Sequence, residues 1–400
     1  MLVEQPRLGK PGMVLLITLC NIIAPLSTDM YMPALPEMKV FFGTNDAIMN
    51  LTLVGFFLFF AIGMLVFGPI SDRNGRKPVL SLGIIVYVVA SVGCTLAGTI
   101  WILILMRLVQ ALGAGCMIAV STAIVKDQFS GAMQGSVLSL AQVFGVVGPI
   151  AAPVIGTFIY SFASWRMIFL AQGIITLLML IVTLLMRETL PREQRLDVGV
   201  IRSLSRLGVV MKNRTFTLFL AGIILLHAPF MAYICASSYI YQDFFGLSPS
   251  MYTAYFAITA LVSVAGPILY SLAKRRNPFK MAFILILVPV ACGAGLLLAG
   301  HSLPIAFAAL VAVLTMCIAA TRPFAMTILL NLQEKDTGAA SSLINFAFTI
   351  MGTIGMFLIT GIWRDYVLGL AILCIITGIA GALLVVALLK KEGPHSLDVF

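Results

Sequence analysis

The feature that most constrains this chain is a series of long apolar runs separated by short polar connections. Twelve such runs lie at about 13–35, 47–70, 79–98, 101–125, 133–160, 165–187, 215–240, 251–273, 279–299, 304–330, 338–362 and 366–389. A helix that crosses the hydrocarbon of a bilayer needs about 20 apolar residues, and a lone strand cannot satisfy its backbone polar groups there. The runs therefore predict an all-α membrane protein with twelve transmembrane helices.

The composition argues against a soluble protein and against an enzyme. The chain is 61% hydrophobic and 10% charged, whereas soluble domains carry about 25% charged residues. Its seven cysteines lie inside apolar runs, and neither they nor the three histidines have the spacing of metal ligands. We see no nucleophile–base arrangement and no GxxxxGK[ST] loop for ATP. The sequence thus predicts no enzyme activity, no metal and no cofactor.

The positions of the basic residues predict the orientation. With the N-terminus inside the cell, 20 of the 25 lysines and arginines fall in cytoplasmic segments and three fall outside. Cytoplasmic loops of membrane proteins carry such an excess of basic residues. Both termini are therefore expected in the cytoplasm. The net charge of +10 is explained by this orientation, and nucleic acid is not expected as a partner.

A polar stretch near the middle of the chain suggests a division into two halves. The stretch at 188–213 is the longest between apolar runs. We expect it to be a cytoplasmic linker between an N-terminal six-helix bundle, 1–187, and a C-terminal six-helix bundle, 214–400.

Two short repeats indicate that the halves are related. The tripeptide FFG at 41–43 returns at 244–246, and GPI at 68–70 returns at 266–268. Both repeats keep the same order and nearly the same offset. They support a duplicated six-helix unit, the arrangement found in transporters built from parallel repeats around a midplane site.

The loop between the second and third runs carries the most specific motif. The segment GPISDRNGRKP, Gly68–Pro78, resembles the signature loop of the major facilitator superfamily. The resemblance implies two pseudo-symmetric six-helix bundles and a network of charges that closes the cytoplasmic side. The implied gating residues are Gly68, Asp72, Arg73, Gly75, Arg76 and Lys77, with Asp127 as a candidate partner. We expect Gly68 to allow two helices to approach closely.

The fifth run, GVVGPIAAPVIG at Gly145–Gly156, resembles the antiporter motif of that superfamily, in which Gly and Pro bend a helix and permit close packing. Its implied residues are Gly145, Gly148, Pro149, Pro153 and Gly156. Ala152-Pro153 replaces the usual Gly pair and is similar to the Bcr/CflA drug-exporter subfamily. The segments Asp29–Pro36 and Gly338–Leu343 resemble the same subfamily.

Two charges inside apolar runs are candidates for proton coupling. Asp29 is the only carboxylate placed well inside such a run, and charges at membrane depth are usually functional. Arg107 lies at a similar depth, about 9 Å below the outer interface, and can pair with Asp29 if helices one and four are neighbours. We hypothesise that Asp29 is the proton-coupling carboxylate and that Arg107 tunes the proton affinity of Asp29. The alternative is a static pair that fixes helix packing.

Polar and aromatic residues on the helices that line the family's cavity are candidates for substrate binding. They are Tyr31, Asn50, Phe57, Gln142, His227, Tyr233, Tyr239, Asn345 and Phe346. His227 fits a packing histidine or a second titrating group. Arg322-Pro323 stands where the subfamily has Gly-Pro, and structural and functional roles are equally compatible with Arg322.

Taken together, the sequence predicts a monomeric, proton-coupled exporter of small lipophilic compounds in the bacterial inner membrane, working by alternating access. The expected partners are the substrate, protons and the lipid bilayer. Export or symport of a metabolite such as a nucleoside or sugar is the main alternative. A membrane sensor is disfavoured because no loop exceeds about 26 residues and none therefore holds a signalling domain.

Overall fold

A computed structural model describes residues 4–195, 208, 210–273, 278–332 and 337–392. Within these residues the chain is helical and contains no β-strand. It divides into two compact units, Met1–Leu204 and Ser205–Phe400. The division falls inside the polar stretch that we expected to be a linker, and much of that stretch lies outside the described residues.

The first unit contains six membrane-length helical segments. They are α1, Gly9–Phe41; α2, Asp46–Asn74; α3, Arg76–Thr95; α4, Ile100–Gln128; α5, Gly131–Phe162; and α6, Arg166–Leu185. The segment α1 is not a continuous helix. It is an α-helix to Asp29, a turn of 3-10 helix at Met32–Ala34 and a short helix at Leu35–Phe41.

The second unit contributes six more segments. They are α7, Arg214–Phe244; α8, Pro249–Ser271; α9, Pro278–Ala299; α10, Pro304–Asn331; α11, Thr337–Ile362; and α12, Tyr366–Glu392. Ten of the twelve segments are long and apolar enough in their described parts to cross a membrane. The apolar described parts of α5 and α9 are shorter, Val147–Phe162 and Ile284–Ala299. The predicted twelve-helix fold is confirmed.

Polar side chains at the short connections set where several segments begin. Asn45, Thr99, Asn213 and Ser248 each accept a hydrogen bond from a backbone N–H three residues ahead, at the start of α2, α4, α7 and α8. Such caps satisfy N–H groups that have no partner inside the helix. Together with tight turns, they explain why these four helices begin close to the starts of apolar runs.

Apolar side chains lie both inside and outside each unit. The first unit packs Leu16, Phe56 and Met117 in its interior, whereas Phe162 is 80% exposed and Leu298 of the second unit is 89% exposed. A soluble protein rarely exposes so much contiguous apolar surface. The exposed apolar faces fit contact with lipid.

The packing of two helix pairs supports the duplication. In the first unit, Gly156 of α5 lies against the backbone carbonyl of Met30 in α1, leaving no room for a Cβ atom. In the second unit, Gly355 of α11 lies in the same way against the carbonyl of Ala228 in α7. Ala228 follows Met30 by 198 residues and Gly355 follows Gly156 by 199. These offsets are close to the 198 residues between the two GPI segments.

The start of α12 in the second unit is capped by a carboxylate. Asp365 accepts hydrogen bonds from the backbone N–H groups of Val367 and Leu368, both at 3.0 Å, and His301 lies 2.7 Å away from it. Partial burial acts to raise the pKa of the Asp365 carboxyl, but the Leu368 N–H and His301 outweigh it and hold this pKa below its usual range. The ionised carboxylate therefore stabilises the start of α12.

We expect Asp365→Ala to lower the free energy of unfolding of the purified protein at neutral pH by about 0.5–2 kcal/mol, because the helix cap is lost. Because the folded-state pKa is depressed, this stabilisation is present above the ordinary aspartate pKa of about 3.9 and is lost as the pH falls through the lower folded value. The difference from wild type should shrink accordingly in melting curves below about pH 4. Asp365→Asn, which keeps an acceptor without the charge, should lose less; a difference that does not change with pH would contradict the charge assignment.

Candidate functional site

Asp29 lies where the first α-helix of the chain ends, and its side chain is 5% exposed. The Thr28 hydroxyl lies 2.8 Å from Asp29 Oδ1 and 3.1 Å from the carbonyl oxygen of Ala24. Pro25 lies inside the same helix one turn earlier and, having no N–H, donates no hydrogen bond to the preceding turn. A carboxylate is thus held inside the first unit beside a hydroxyl that has two available acceptors.

Arg107 of α4 is completely buried and surrounded by aromatic rings. Its guanidinium carbon lies 4.3 Å from the ring centroid of Phe56 and 4.8 Å from that of Tyr31. Its Nη1 donates to Gln110 Oε1 at 2.6 Å, and its Nε donates to the Thr52 carbonyl at 3.4 Å. Among the described residues its Nη2 has no hydrogen-bond partner. Cation–π contacts therefore carry part of the stabilisation of this charge.

The expected ion pair between Asp29 and Arg107 is not formed in this structure. Within the described residues no salt bridge joins them, since Asp29 accepts from Thr28 and Arg107 bonds to Gln110. The helices are neighbours, as Tyr31 of α1 lies against the guanidinium. Equal depth along two helices does not specify how their side chains are rotated, and α1 also bends after Asp29. The two charges are close in depth but are bound separately.

A buried hydrogen-bond network extends from Arg107 across the first unit. Gln110 Nε2 donates to Ser91 Oγ at 2.8 Å and to Gln172 Oε1 at 3.1 Å, and Gln172 Nε2 donates to the carbonyl of Leu26 at 2.9 Å. These bonds connect α3, α4 and α6 to α1. Gln110 and Gln172 are not among the site residues predicted from the sequence. The signal that could have identified Gln110 is its position three residues after Arg107, on the same helix face.

The proposed substrate residues of the first unit occupy different environments. Tyr31 is fully buried, and its hydroxyl lies 2.8 Å from Thr52 Oγ1 beside Arg107. Asn50 is buried, and the ring of Phe57 lies edge-on to that of Phe56 at 6.0 Å. The side chain of Gln142 lies outside the described residues. Of this set, the structure brings Tyr31 directly to the buried arginine.

The proposed substrate residues of the second unit fall into two groups. Tyr233 and Tyr239 are buried among other aromatic rings. Asn345 accepts a hydrogen bond from Arg322 at 2.7 Å, His227 is half-buried, and Phe346 is half-buried one residue further along α11. The two tyrosines thus belong to a packed cluster, whereas His227, Asn345 and Phe346 lie on accessible parts of their helices.

The residues of the signature loop form a compact charge network where α2 ends, α3 begins and α4 ends. Arg76 Nε donates to Asp127 Oδ2 at 2.8 Å, and its Nη1 donates to Asp72 and to Ser71 Oγ. Arg76 is 6% exposed, whereas Arg73 is exposed. The residue that contacts the candidate partner Asp127 is therefore Arg76.

A carboxylate after α6 completes this network. Glu188 accepts hydrogen bonds from the backbone N–H groups of Arg76, at 2.9 Å, and Lys77, at 3.2 Å, which are the first residues of α3. Lys77 Nζ donates to the carbonyl of Leu184 at 2.8 Å. Gly75 has a φ of 101°, and a Cβ there would lie 2.5 Å from Glu188 Oε2, so glycine is required. An acid at the positive end of a helix is electrostatically favourable.

One glycine of the motif does not have the predicted role. We expected Gly68 to permit a close helix approach, but a Cβ atom placed on it would meet no atom within 4 Å. The close approaches lie elsewhere. In the antiporter motif of α5, Gly148 packs against Pro25 and Gly156 against Met30, both in α1. The helix α5 continues through Pro149 and Pro153, and Gly145 lies in the same helix.

Removing the Arg76 charge should destabilise the first unit. Arg76→Gln leaves Asp72 and Asp127 without their cation in a largely buried site. We therefore expect the free energy of unfolding to fall by about 3 kcal/mol, the lower end of the range for a buried ion pair that loses one partner. The matched control is Arg73→Gln, an exposed arginine three residues away, with an expected loss below about 1 kcal/mol. Thermal unfolding of the purified variants measures both. Equal losses, or strict additivity of Arg76→Gln with Asp127→Asn, would show that the pair is not coupled.

Comparison with known proteins agrees with the fold and the motifs. Residues 17–356 match the family model of the Major Facilitator Superfamily. An uncharacterized MFS-type transporter of Bacillus subtilis is 27% identical over 394 residues, covering 96% of this chain and 97% of that protein. A solved bacterial homologue of the human lysosomal transporter Spinster has a TM-score of 0.74 at 18% identity, covering 96% of this chain and 97% of that structure. The chain belongs to the major facilitator superfamily and is a membrane-spanning transporter of small molecules, not an enzyme.

Some relatives in this superfamily are resistance proteins. A chloramphenicol resistance protein of Pseudomonas aeruginosa is 35% identical over 174 residues, which is 42% of this chain and 40% of that protein. The multidrug resistance protein MdtL of Escherichia coli is 32% identical over 171 residues, covering 42% of this chain and 44% of that protein. Each of these similarities thus spans less than half of either chain.

Proposed function

We propose that this protein is a proton-coupled exporter of small lipophilic compounds that works by alternating access. The observation that carries the proposal is Asp29, a carboxylate buried at membrane depth and bonded to a hydroxyl rather than to a cation. A carboxylate in such a place is costly to keep charged, so it is suited to binding and releasing a proton. We place the protein as a monomer in the bacterial cytoplasmic membrane with both termini in the cytoplasm.

The Thr28 hydroxyl supports this role because it has one proton and two acceptors. When Asp29 is ionised, the hydroxyl donates to its carboxylate. When Asp29 is protonated, the same hydroxyl can turn to the carbonyl of Ala24 and accept the new proton of Asp29. Both states keep their hydrogen bonds, so protonation leaves no buried polar group unsatisfied.

Arg107 and the cytoplasmic network have separate parts in the proposal. The positive charge of Arg107 adjusts the proton affinity of Asp29. Its unpaired Nη2 is a donor that can bind Asp29 when α1 and α4 shift relative to each other. The pairs of Arg76 with Asp72 and Asp127 stabilise one end state of the transport cycle and break in the other. Conformational change between the states is what couples proton to substrate.

The relatives support drugs as the substrate class, and a second function stays open. The chloramphenicol and multidrug resistance proteins point to lipophilic compounds. Structures of a D-xylose–proton symporter and a nucleoside transporter share the fold at 15% and 12% identity. Export or symport of a sugar or nucleoside is therefore the alternative.

Proton movement in inside-out membrane vesicles tests the proposal. Respiration acidifies the vesicle interior, a pH-sensitive dye reports the gradient, and chloramphenicol, ethidium, uridine or D-xylose is added singly. We expect chloramphenicol or ethidium to dissipate the gradient, and only in vesicles that contain the protein. A response to uridine or xylose alone would favour the alternative. Labelled substrate crossing without any proton movement would overturn proton coupling.

A further inference from the structure

A second charge at membrane depth lies in the C-terminal unit. Arg322 precedes the end of α10, at Asn331, by nine residues, and Asn345 follows the start of α11, at Thr337, by eight. At 1.5 Å per residue, they are about 13.5 Å and about 12 Å from those helix ends. Arg322 Nη2 donates to Asn345 Oδ1 at 2.7 Å. The guanidinium thus reaches sideways to the neighbouring helix rather than along α10 to the membrane surface.

The partner of this arginine is a neutral amide. Asn345 Nδ2 donates to the carbonyl of Ser341 at 2.9 Å, which leaves its Oδ1 to face the guanidinium. The acidic residues of the second unit lie at the ends of apolar runs or between them: Asp243, Glu334, Asp336, Asp365, Glu392 and Asp398. Within the described residues, Arg322 forms no ion pair and its side chain is exposed. The charge is therefore not compensated at its own depth.

A third helix contributes to the surroundings of Arg322. His227 of α7 is half-buried and packs against Phe348 of α11, which lies three residues after Asn345 on the same helix. Its ring centroid is 5.3 Å from that of Phe230 and 5.3 Å from that of Phe348. One cation, one imidazole and one amide thus converge from α7, α10 and α11 next to aromatic rings. This combination offers a positive charge, hydrogen-bond donors and an apolar surface.

We propose that Arg322, Asn345 and His227 form an anion subsite, which holds the carboxylate of a small aromatic acid or zwitterion while its ring packs near Phe230. A guanidinium has five N–H donors in a planar fork that matches a carboxylate, and the single bond to Asn345 leaves others for a ligand. The ligand supplies the negative charge that the unit lacks at this depth. This assignment rests on the proposed transport function and adds compounds with an acid group to the substrates that the protein binds.

Binding to the purified full-length protein in neutral detergent tests the subsite without any proton gradient. The probes are 2-naphthoate and its uncharged amide, 2-naphthamide, which differ only in the acid group. A ligand that binds the folded state raises the melting temperature in a concentration-dependent way. We expect naphthoate to stabilise the wild type with at least tenfold higher affinity than naphthamide. Arg322→Gln should lose this preference, Arg322→Lys should keep part of it, and Asn345→Ala should weaken it.

Arg364→Gln is the matched control, since it removes one positive charge from an exposed loop position and should bind naphthoate like the wild type. Equal binding of the two probes, no stabilisation by either, or full naphthoate binding by Arg322→Gln would each overturn the subsite. Should Arg322→Gln fail to fold, Arg322→Lys and Asn345→Ala decide the question. If phosphatidylglycerol stabilises the wild type and naphthoate does not, the positive charge of Arg322 binds a lipid headgroup. That result would overturn the substrate subsite. Chloramphenicol-driven proton movement that survives in Arg322→Lys, with no naphthoate binding, would overturn this inference and leave the transport proposal standing.

Discussion

Replacing Asp29 with asparagine is expected to abolish proton-coupled exchange in inside-out vesicles, with at least a hundredfold lower rate of substrate-driven proton release than the wild type. The substitution keeps the size of the side chain and an acceptor for the Thr28 hydroxyl, but it removes the only group at this position that can carry a proton. Loss of a positioned side chain that transfers a proton typically lowers a rate about 10²–10⁴-fold. The dye assay described above measures the change directly.

The same substitution should not reduce stability. Asp29 has no described cation partner, so ionised it is a desolvated charge, and burying such a charge is unfavourable. Asp29→Asn should therefore melt at the same temperature as the wild type or higher. Asp29→Glu, which keeps a carboxylate, should retain measurable exchange. A variant that melts lower yet still exchanges protons would instead identify Asp29 as a structural residue and remove it from the mechanism.

Replacing Gly156 with alanine should have the largest effect on folding. The Cβ atom would overlap the backbone carbonyl of Met30, and neither backbone can move without separating α5 from α1. Overpacking of a tight interface costs about 1–3 kcal/mol and occasionally more, and a clash with backbone belongs at the upper end. We expect a clearly lower melting temperature and a smaller monodisperse fraction in size-exclusion chromatography.

Gly135 offers the matched control on the same helix. A Cβ atom on Gly135 meets nothing within 4 Å, so Gly135→Ala should change stability by less than about 1 kcal/mol, the propensity difference between the two residues. Gly355→Ala tests the duplication, because Gly355 packs against Ala228 as Gly156 packs against Met30. We expect it to destabilise the protein as Gly156→Ala does. Similar stability of the Gly156 and Gly135 variants would refute the close contact.

Much of the architecture could be predicted because it depends on properties that are local in sequence. Whether a segment spans a bilayer is decided by its length and apolarity, and short caps such as Asn45 and Ser248 mark where helices start. The Asp72–Arg76 contact also joins residues only four positions apart in the sequence. The family resemblance correctly indicated the superfamily and its fold, since its motifs are contiguous.

The predictions that failed concern how side chains are rotated and which distant residues they contact. The expected Asp29–Arg107 pair failed because depth along a helix does not specify which way a side chain points. Gly68 and Gly156 are chemically identical, yet only the second lies against another backbone. A lone polar residue such as Gln172 gives no local signal of its partner 62 residues away.

The twelve-helix membrane fold follows from the amino-acid sequence alone, because long apolar runs can cross the hydrocarbon interior only as helices that satisfy their own backbone hydrogen bonds. The same runs identify the few charged residues that they contain. The contacts of those charges are visible only in the folded protein: Thr28 for Asp29, aromatic rings and Gln110 for Arg107, and Asn345 for Arg322. The physical reason is that burial in lipid is a property of a segment, whereas a partner is selected by how separate helices rotate and pack against one another.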